Sequence, residues 1–341
     1  MDAMASRNDH TFGRRKLLTG AAALGAASLV GVPARVAAEP PPETTRLRFM
    51  KLPAICFAPE YLAEDLLGLE GFTDVQYVEF DQNTADPLLT NKADLGVVAP
   101  PLLLPDVDTG KPFVALAPLH NGCYELFAND RVRTILDLKG KRVAVSAMGS
   151  TGYYFVAAIV AYVGMNPRKD IEWVDAKGYD GMMQHFIDGK VDAFLAFPPQ
   201  PQHLRARNIG RVILNTTQDR PWDQYFCCMV GATKDFVARN PIATRRAIRA
   251  ILKAADICAR EPDRAAGHMV AKGYEARYDV ALEVIKSLSY NRWRTYDPDN
   301  TLRFFGVRLH ETGLIKTSPQ KLIAQATDWQ FLNQLKKELK S

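Results

Sequence analysis

From Thr45 to Asn215, short apolar runs alternate with stretches whose apolar residues recur at helical spacing. Strands are predicted over Thr45–Leu52, Val75–Phe80, Asp94–Val98 and Pro112–Pro118, with helices over Glu60–Leu69, Thr84–Asn91 and Leu102–Thr109 between them. The run Asp94–Val98 is continuously apolar after its first residue, as in a parallel strand covered on both faces. This alternation restricts the chain to an α/β layer fold. It breaks at His120-Asn121-Gly122-Cys123, and Tyr124–Asn129 then reads as an extended crossing segment. A second round follows, with strands at Lys141–Ala147, Ile171–Val174, Val191–Phe197 and Val212–Asn215. Its helices are Tyr153–Val163 and Tyr179–Asp188. Tyr225–Gly231 reads as a second crossing segment, and helical patterns alone follow Thr233. Those helices are Lys234–Arg239, Pro241–Arg260, Asp263–Lys272, Val280–Ser287, Pro298–Thr312 and Ser318–Ala324.

The stretch Asp137–Tyr154 carries the clearest binding geometry. A buried strand ends in Gly149-Ser150-Thr151-Gly152, and a helix begins at Tyr153. The first N–H groups of a helix have no internal partner and lie at its positive end. Small residues let a ligand approach the backbone, and Ser150 and Thr151 add hydroxyl donors. The alternative is that Ser150 or Thr151 only caps the helix.

The N-terminus reads as an export signal. Arg14-Arg15 precede a mildly apolar run, Leu17–Val32, and the small-residue stretch Pro33–Ala38 ends it. This is the layout of a twin-arginine signal, too short and too weakly apolar for a comfortable membrane span. Cleavage is expected near Ala38, with a disordered, proline-rich lead-in over 39–45. Residues 1–38 carry five of the 43 Lys and Arg and two of the 38 acids. The remaining 38 bases and 36 acids leave a net charge of +2, which argues against nucleic acid as partner. Five cysteines cannot all pair, and no Cys-x-x-Cys occurs. Their positions inside apolar runs predict buried thiols with no essential bridge. No Gly-x-Ser-x-Gly, His-Glu-x-x-His or Walker pattern is present, and the six histidines are scattered. No catalytic residue, metal ligand or cofactor is therefore expected. Of the histidines, only His120 lies beside a predicted cleft strand.

Four stretches carry a family resemblance. They are Tyr61–Phe72, Ala93–Pro100, Leu136–Val145 with the Gly-Ser-Thr turn after it, and Met182–Phe194. In this order they resemble the solute-binding proteins of bacterial ABC importers, in the nitrate/sulfonate/taurine and thiamine-pyrimidine-precursor branch. The resemblance spans roughly Leu47–Ala324. It implies a type II periplasmic-binding fold, two α/β lobes joined by two crossing strands with ligand between them. The lobes are expected at 46–127 with 225–341, and at 128–224, hinged near Ala128-Asn129 and Trp222–Phe226. Ligand-facing positions implied by the resemblance are Phe57 and Ala58, Ala99 and Pro100, Gly149–Gly152, Phe197, and Tyr124 with Glu125. Tyr153, Trp222 and Tyr225 complete an aromatic lining without Lys or Arg. Such walls suit a small organic molecule, and a carboxylate or sulfonate on the N–H groups at Ser150–Gly152 is the expected ligand. The alternative is an aminopyrimidine or another neutral or cationic heterocycle paired to Glu125. For Glu125 itself, pairing with a nearby Arg or Lys is the structural alternative. The implied partners are an ABC permease and ATPase and the twin-arginine export machinery, with a periplasmic location. The yeast-type pyrimidine synthases of this superfamily carry a cysteine-rich run and a reactive histidine. Tyr225-Phe226-Cys227-Cys228-Met229 is only superficially similar and reads as core thiols. The competing class is an enzyme, either a hydrolase or a pyrimidine-forming protein using its own side chain.

Overall fold

The structure is a computed structural model that describes residues 39–52, 54–80 and 86–339. The expected export segment, 1–38, lies outside the described residues. No helix among the described residues is long and apolar enough to cross a membrane.

Two five-stranded sheets organise the body. The first contains β1 (Arg46–Lys51), β2 (Asp74–Glu79), β3 (Leu95–Val98), β4 (Phe113–Asn121) and β10 (Phe226–Thr233). Its order is β2-β1-β3-β10-β4. The second contains β5 (Glu125–Ala128), β6 (Lys141–Val145), β7 (Ile171–Asp175), β8 (Ala193–Ala196) and β9 (Arg211–Asn215), in the order β7-β6-β8-β5-β9. β1 runs parallel to β2 and β3, and β6 runs parallel to β7 and β8. One strand in each sheet departs from the expected parallel pattern. β10 lies antiparallel between β3 and β4, and β5 lies antiparallel between β8 and β9. Each of these strands enters its sheet directly from a crossing segment, which reverses its direction.

Most expected elements form within a few residues of their predicted bounds. The helix expected over Thr84–Asn91 does not: residues 86–92 are turn or bend, with Pro87 near the start and Asn91 at φ 55°. Two helices, Gln200–Ala206 and Gln330–Glu338, escaped the sequence reading. The lead-in 39–45, expected to be disordered, forms no regular element but is tied down. The Glu43 carboxylate accepts hydrogen bonds from Ile242 N at 2.9 Å and Ala243 N at 2.8 Å, at the start of helix Pro241–Arg260. An acid at that end is favoured by the unsatisfied N–H groups and the helix dipole. Further along the same helix, buried Arg249 meets Glu70 at 2.5 Å and Glu338 at 3.1 Å, which fastens helix Gln330–Glu338 to the first lobe.

The chain passes between the sheets twice, at 122–124 and 216–225. Glu125–Ala128 therefore belongs to the second sheet, and the first crossing precedes the hinge expected near Ala128-Asn129. The crossings are hydrogen-bonded to each other. Thr216 Oγ1 accepts from Tyr124 N at 3.0 Å and donates to Tyr124 O, which also accepts from Thr216 N. Gly122, at φ 60°, lies so close to Thr217 that a Cβ would sit 2.6 Å from Thr217 Cα. Elsewhere the lobes meet through side chains. Phe155 and Tyr162, on helix Thr151–Tyr162, pack against Phe304 and Phe305 of helix Pro298–Glu311, with Trp222 of the second crossing among them. On helix Gln200–Ala206, Arg205 pairs with Glu125 at 2.5 Å and reaches Glu283 of the first lobe at 2.8 Å.

The contact at Gly122 is backbone on backbone and cannot be relieved by a rotamer change. Gly122→Ala is expected to cost about 1–3 kcal/mol through the positive φ alone. In calorimetry this lowers Tm by about 2 °C or more. An unchanged Tm would show that the two crossings are not close-packed.

Candidate functional site

The cleft lies where the strand ends of both sheets face each other, the usual location of ligands in open α/β sheets. From the first lobe, Leu52 follows β1, Phe57 ends a single turn over Ile55–Phe57, and Val98 with Ala99 closes β3. From the second lobe come Thr151, Tyr179 and Phe197, and Tyr124 descends from the first crossing. Two adjoining chambers with free volumes of about 90 and 30 Å³ share Leu52, Phe57, Tyr124, Tyr179 and Cys228. A water needs about 10–15 Å³ on this measure, so the larger chamber has room for a small molecule. Tyr179 stands edge-on to Phe197 with centroids 4.7 Å apart, and burial pushes its phenol up to about 12. The Tyr179 phenol therefore stays neutral near pH 7.

The ionisable groups on the walls of the larger chamber include two acids. Asp86 and Asp106 line it, and no Lys or Arg does among the described residues. Burial raises the pKa of both carboxyls, and Lys111, 2.7 Å from Asp106, opposes the shift. Asp86 also accepts a hydrogen bond from Leu88 N at 2.8 Å. Two acids and one base leave this edge of the cleft net negative when all are ionised.

The floor of the cleft holds a cluster that the sequence reading treated as scattered thiols. The Sγ atoms of Cys123, Cys227 and Cys228 and a ring nitrogen of His120 all lie within 4.8 Å of one another, and all four residues are buried. Cys227 Sγ is 3.1 Å from Cys123 Sγ and 3.3 Å from Cys228 Sγ. The register of β10 on β4 explains the convergence. Phe226 faces Asn121 and Cys228 faces His120, so Cys227 is an extra residue in a β-bulge. A second shift between Cys228 and Met229 bulges β4 opposite. Bulges re-aim side chains that would otherwise alternate between faces, here turning both adjacent cysteines to one side. Burial alone would push His120 down and Cys228 up. Their proximity reverses both: the Cys228 thiolate lifts the imidazole to about 10, and neighbouring thiols with His120 draw Cys228 well below the usual thiol range. Cys56 lines the smaller chamber beside them, and burial holds its thiol up at about 12.

Of the residues expected to face ligand, the structure brings Phe57, Ala99, Tyr124, Thr151 and Phe197 to the cleft. Ala58 and Pro100 are buried in the first turns of their helices, outside the lining. Gly149 and Gly152 flank the turn without reaching the lining, and Ser150 caps the helix by accepting from Tyr153 N at 3.4 Å. Tyr153 packs on Trp173 at 4.7 Å instead. Glu125 is occupied by Arg205 and lies outside the cleft lining. Trp222 is buried in the aromatic contact between lobes, and Tyr225 stacks on Phe304 at 3.9 Å in a separate surface groove. The residues missed were Leu52, Phe80, Asp86, Asp106, Tyr179 and the thiols. The spacing His120-x-x-Cys123 was the available signal for the thiol cluster.

Comparison with known proteins agrees with this architecture. The nitrate-binding protein NrtA from Synechocystis PCC 6803 is 16% identical, superposes with a TM-score of 0.72, and is matched over 88% of this chain and 90% of its own. The alkanesulfonate-binding protein SsuA from Xanthomonas axonopodis pv. citri, solved with MOPS, is 16% identical with a TM-score of 0.69 over 84% of this chain and 99% of its own. The aliphatic sulphonate binding protein SsuA from Escherichia coli is 17% identical with a TM-score of 0.63, over 84% and 98%. These likenesses show the periplasmic-binding-protein fold. No curated protein matches the chain in sequence. The profile described as NMT1/THI5 like matches residues 70–265, more than half of the chain. With the fold, the strand order and this match in hand, the chain belongs to the NMT1/THI5-like family.

Proposed function

We propose that this protein is an exported solute-binding protein that captures a small, flat, neutral or singly cationic organic molecule between its lobes. It delivers the molecule unchanged to an ABC permease and its ATPase, after export through the twin-arginine machinery. The observation that carries the reading is the wall chemistry of the cleft. Phe57, Phe80, Tyr124, Tyr179 and Phe197 offer ring faces and edges for a planar ligand. Asp86 and Asp106 offer acceptors, and no cation stands among the described lining residues. A carboxylate or sulfonate would have to shed its water against two carboxylates, which is costly without a fixed cation. That consideration reverses the preference drawn from the lining read in sequence, where the aspartates were not counted. What favours the anionic alternative is Thr151, whose helix start reaches the cleft, together with the structural neighbours named for nitrate and sulfonates.

Calorimetry and thermal shift with an aminopyrimidine, a quaternary amine, an aromatic carboxylate, an alkanesulfonate, taurine and nitrate separate these readings. Product analysis of the same mixtures separates binding from turnover. Binding of the neutral or cationic compounds alone, without product, is expected. Tight binding of nitrate or a sulfonate, or conversion of any compound, would overturn the proposal.

The raised pKa of Asp86 and Asp106 gives this binding a pH signature. A cation stabilises the ionised carboxylates, so its affinity is full near neutral pH. It is lost as pH falls, beginning above the range in which an ordinary aspartate titrates. Asp86→Asn with Asp106→Asn is expected to flatten that profile and weaken a cation about tenfold or more. A profile unchanged in the double variant would remove the aspartates from the site.

Glu125→Gln is expected to leave solute affinity within about twofold while lowering stability by about 1 kcal/mol. Its partner Arg205 is 40% exposed and can turn to water or to Glu283. Lost affinity with unchanged Tm would put the Glu125 carboxylate on the solute.

A further inference from the structure

We propose that Cys123, Cys227, Cys228 and His120 form a binding site for one thiophilic metal ion at the floor of the cleft. Nothing in the solute-binding reading requires this site, and the site does not require that reading. Its donors come as two local pairs, His120 with Cys123 and Cys227 with Cys228, 104 residues apart from Cys123 to Cys227, and the fold converges them within 4.8 Å. A tetrahedral zinc site with Zn–S of 2.3 Å has S···S edges of about 3.8 Å and S···N edges of about 3.5 Å. Here the S···S separations are 3.1 and 3.3 Å, so an ion enters by spreading the thiols about half an ångström. His120 is already oriented in the way that ligating histidines are. Its Nδ1 lies 3.0 Å from Gly122 O, so Nδ1–H can donate to that carbonyl. The same carbonyl accepts from Cys227 Sγ at 2.6 Å, and Cys227 Sγ lies 3.4 Å from Nδ1 and 4.0 Å from Nε2, so with Nδ1–H on the carbonyl the Nε2 lone pair is the one offered to an ion.

The backbone around the donors is specialised. Cys227 is the extra residue of the bulge, and Cys123 holds φ at 140°, a conformation that costs a side-chain-bearing residue about 1–3 kcal/mol. Core packing of thiols needs neither feature. The donor set also decides the class of ion. Sulfur and imidazole nitrogen select zinc(II) or copper(I) over magnesium or calcium. Cys123 and Cys228 line the cleft, which gives the ion an entry path. The bound donors are three thiolates and a neutral imidazole, so zinc(II) uptake releases the protons of Cys123 and Cys227 and the one held between His120 and Cys228, three in all, and the occupied site carries one net negative charge.

The test uses the mature chain, purified under reducing, metal-free conditions. Anaerobic titration with zinc(II), copper(I) and, as a spectroscopic probe, cobalt(II) is followed by native mass spectrometry and thiol counting. One ion per chain is expected, with proton release, the visible bands of tetrahedral cobalt–thiolate, and protection of three thiols from alkylation. Zinc and copper are told apart by which displaces the other. Cys228→Ser and His120→Ala are each expected to weaken the ion at least about 100-fold, whereas Cys258→Ser, elsewhere in the core, leaves it unchanged. Circular dichroism checks that each variant is folded, and the wild-type stoichiometry stands independently of the variants. Failure of wild-type protein to hold any of the three ions would overturn the proposal. So would loss of two hydrogens between Cys123 and Cys227 in the presence of zinc(II), which would make the pair a disulfide instead.

Discussion

The insertion of Phe226–Thr233 between β3 and β4 is the pairing on which the rest of this structure depends. The strand returns from the second lobe and runs against the direction of its neighbours. It completes the first sheet, fixes where the second crossing begins, and carries two cysteines to the cleft floor. Every residue from Phe226 to Ala232 is buried, and Gly231 leaves no room for a Cβ beside Val98. A strand buried on both faces can hold register only through matched volumes and ladder bonds, and a slip of one residue would turn each side chain to the other face. The ladder to β4 carries three register shifts, two of them at the end nearest the cleft and the third between Val230 and Gly231.

Much of the architecture was legible in the sequence because burial imposes a periodicity. The continuous apolar run before Ala99 and the strand before the Gly149–Gly152 turn lie in sheets covered on both sides, and their patterns say so. The helix start at Ser150 was legible for the same local reason, although its hydroxyl serves the backbone and Thr151 alone reaches the cleft. The residues that went astray are those whose neighbours are remote. Trp222 and Tyr225 looked like cleft walls because they flank a crossing, yet Phe304, nearly eighty residues later, covers both. For Glu125 the sequence left solute and a basic partner both open, and the partner, Arg205, comes from a helix that proline spacing had hidden. The thiol cluster depended on a strand register, and no local pattern encodes a bulge. The lead-in before β1 was misjudged from its prolines, because the helix start that binds Glu43 lies about 200 residues away.

The cleft shows how one fold accommodates different chemistry without moving its frame. Side chains on the turns after the strands set the polarity of the space. In this chain aromatic rings, thiols and aspartates occupy those places, so the electrostatic character of the pocket departs from what a small anion requires. A family frame therefore predicts where a molecule sits far better than it predicts what the molecule is.

The rings between the lobes have a mechanical consequence. Phe155, Trp222, Phe304 and Phe305 touch edge-to-face or tilted, at centroid distances of 5.0–6.3 Å, and Arg308 lies 3.7 Å over the Phe304 face. Aromatic pairs prefer such tilted and edge-to-face arrangements, so the rings of the two lobes interlock at favoured angles. Pulling them apart would wet each ring at about 1.5–3 kcal/mol apiece. The contact thus resists separation of the lobes, and a relative rotation that keeps the rings covered costs less than one that parts them.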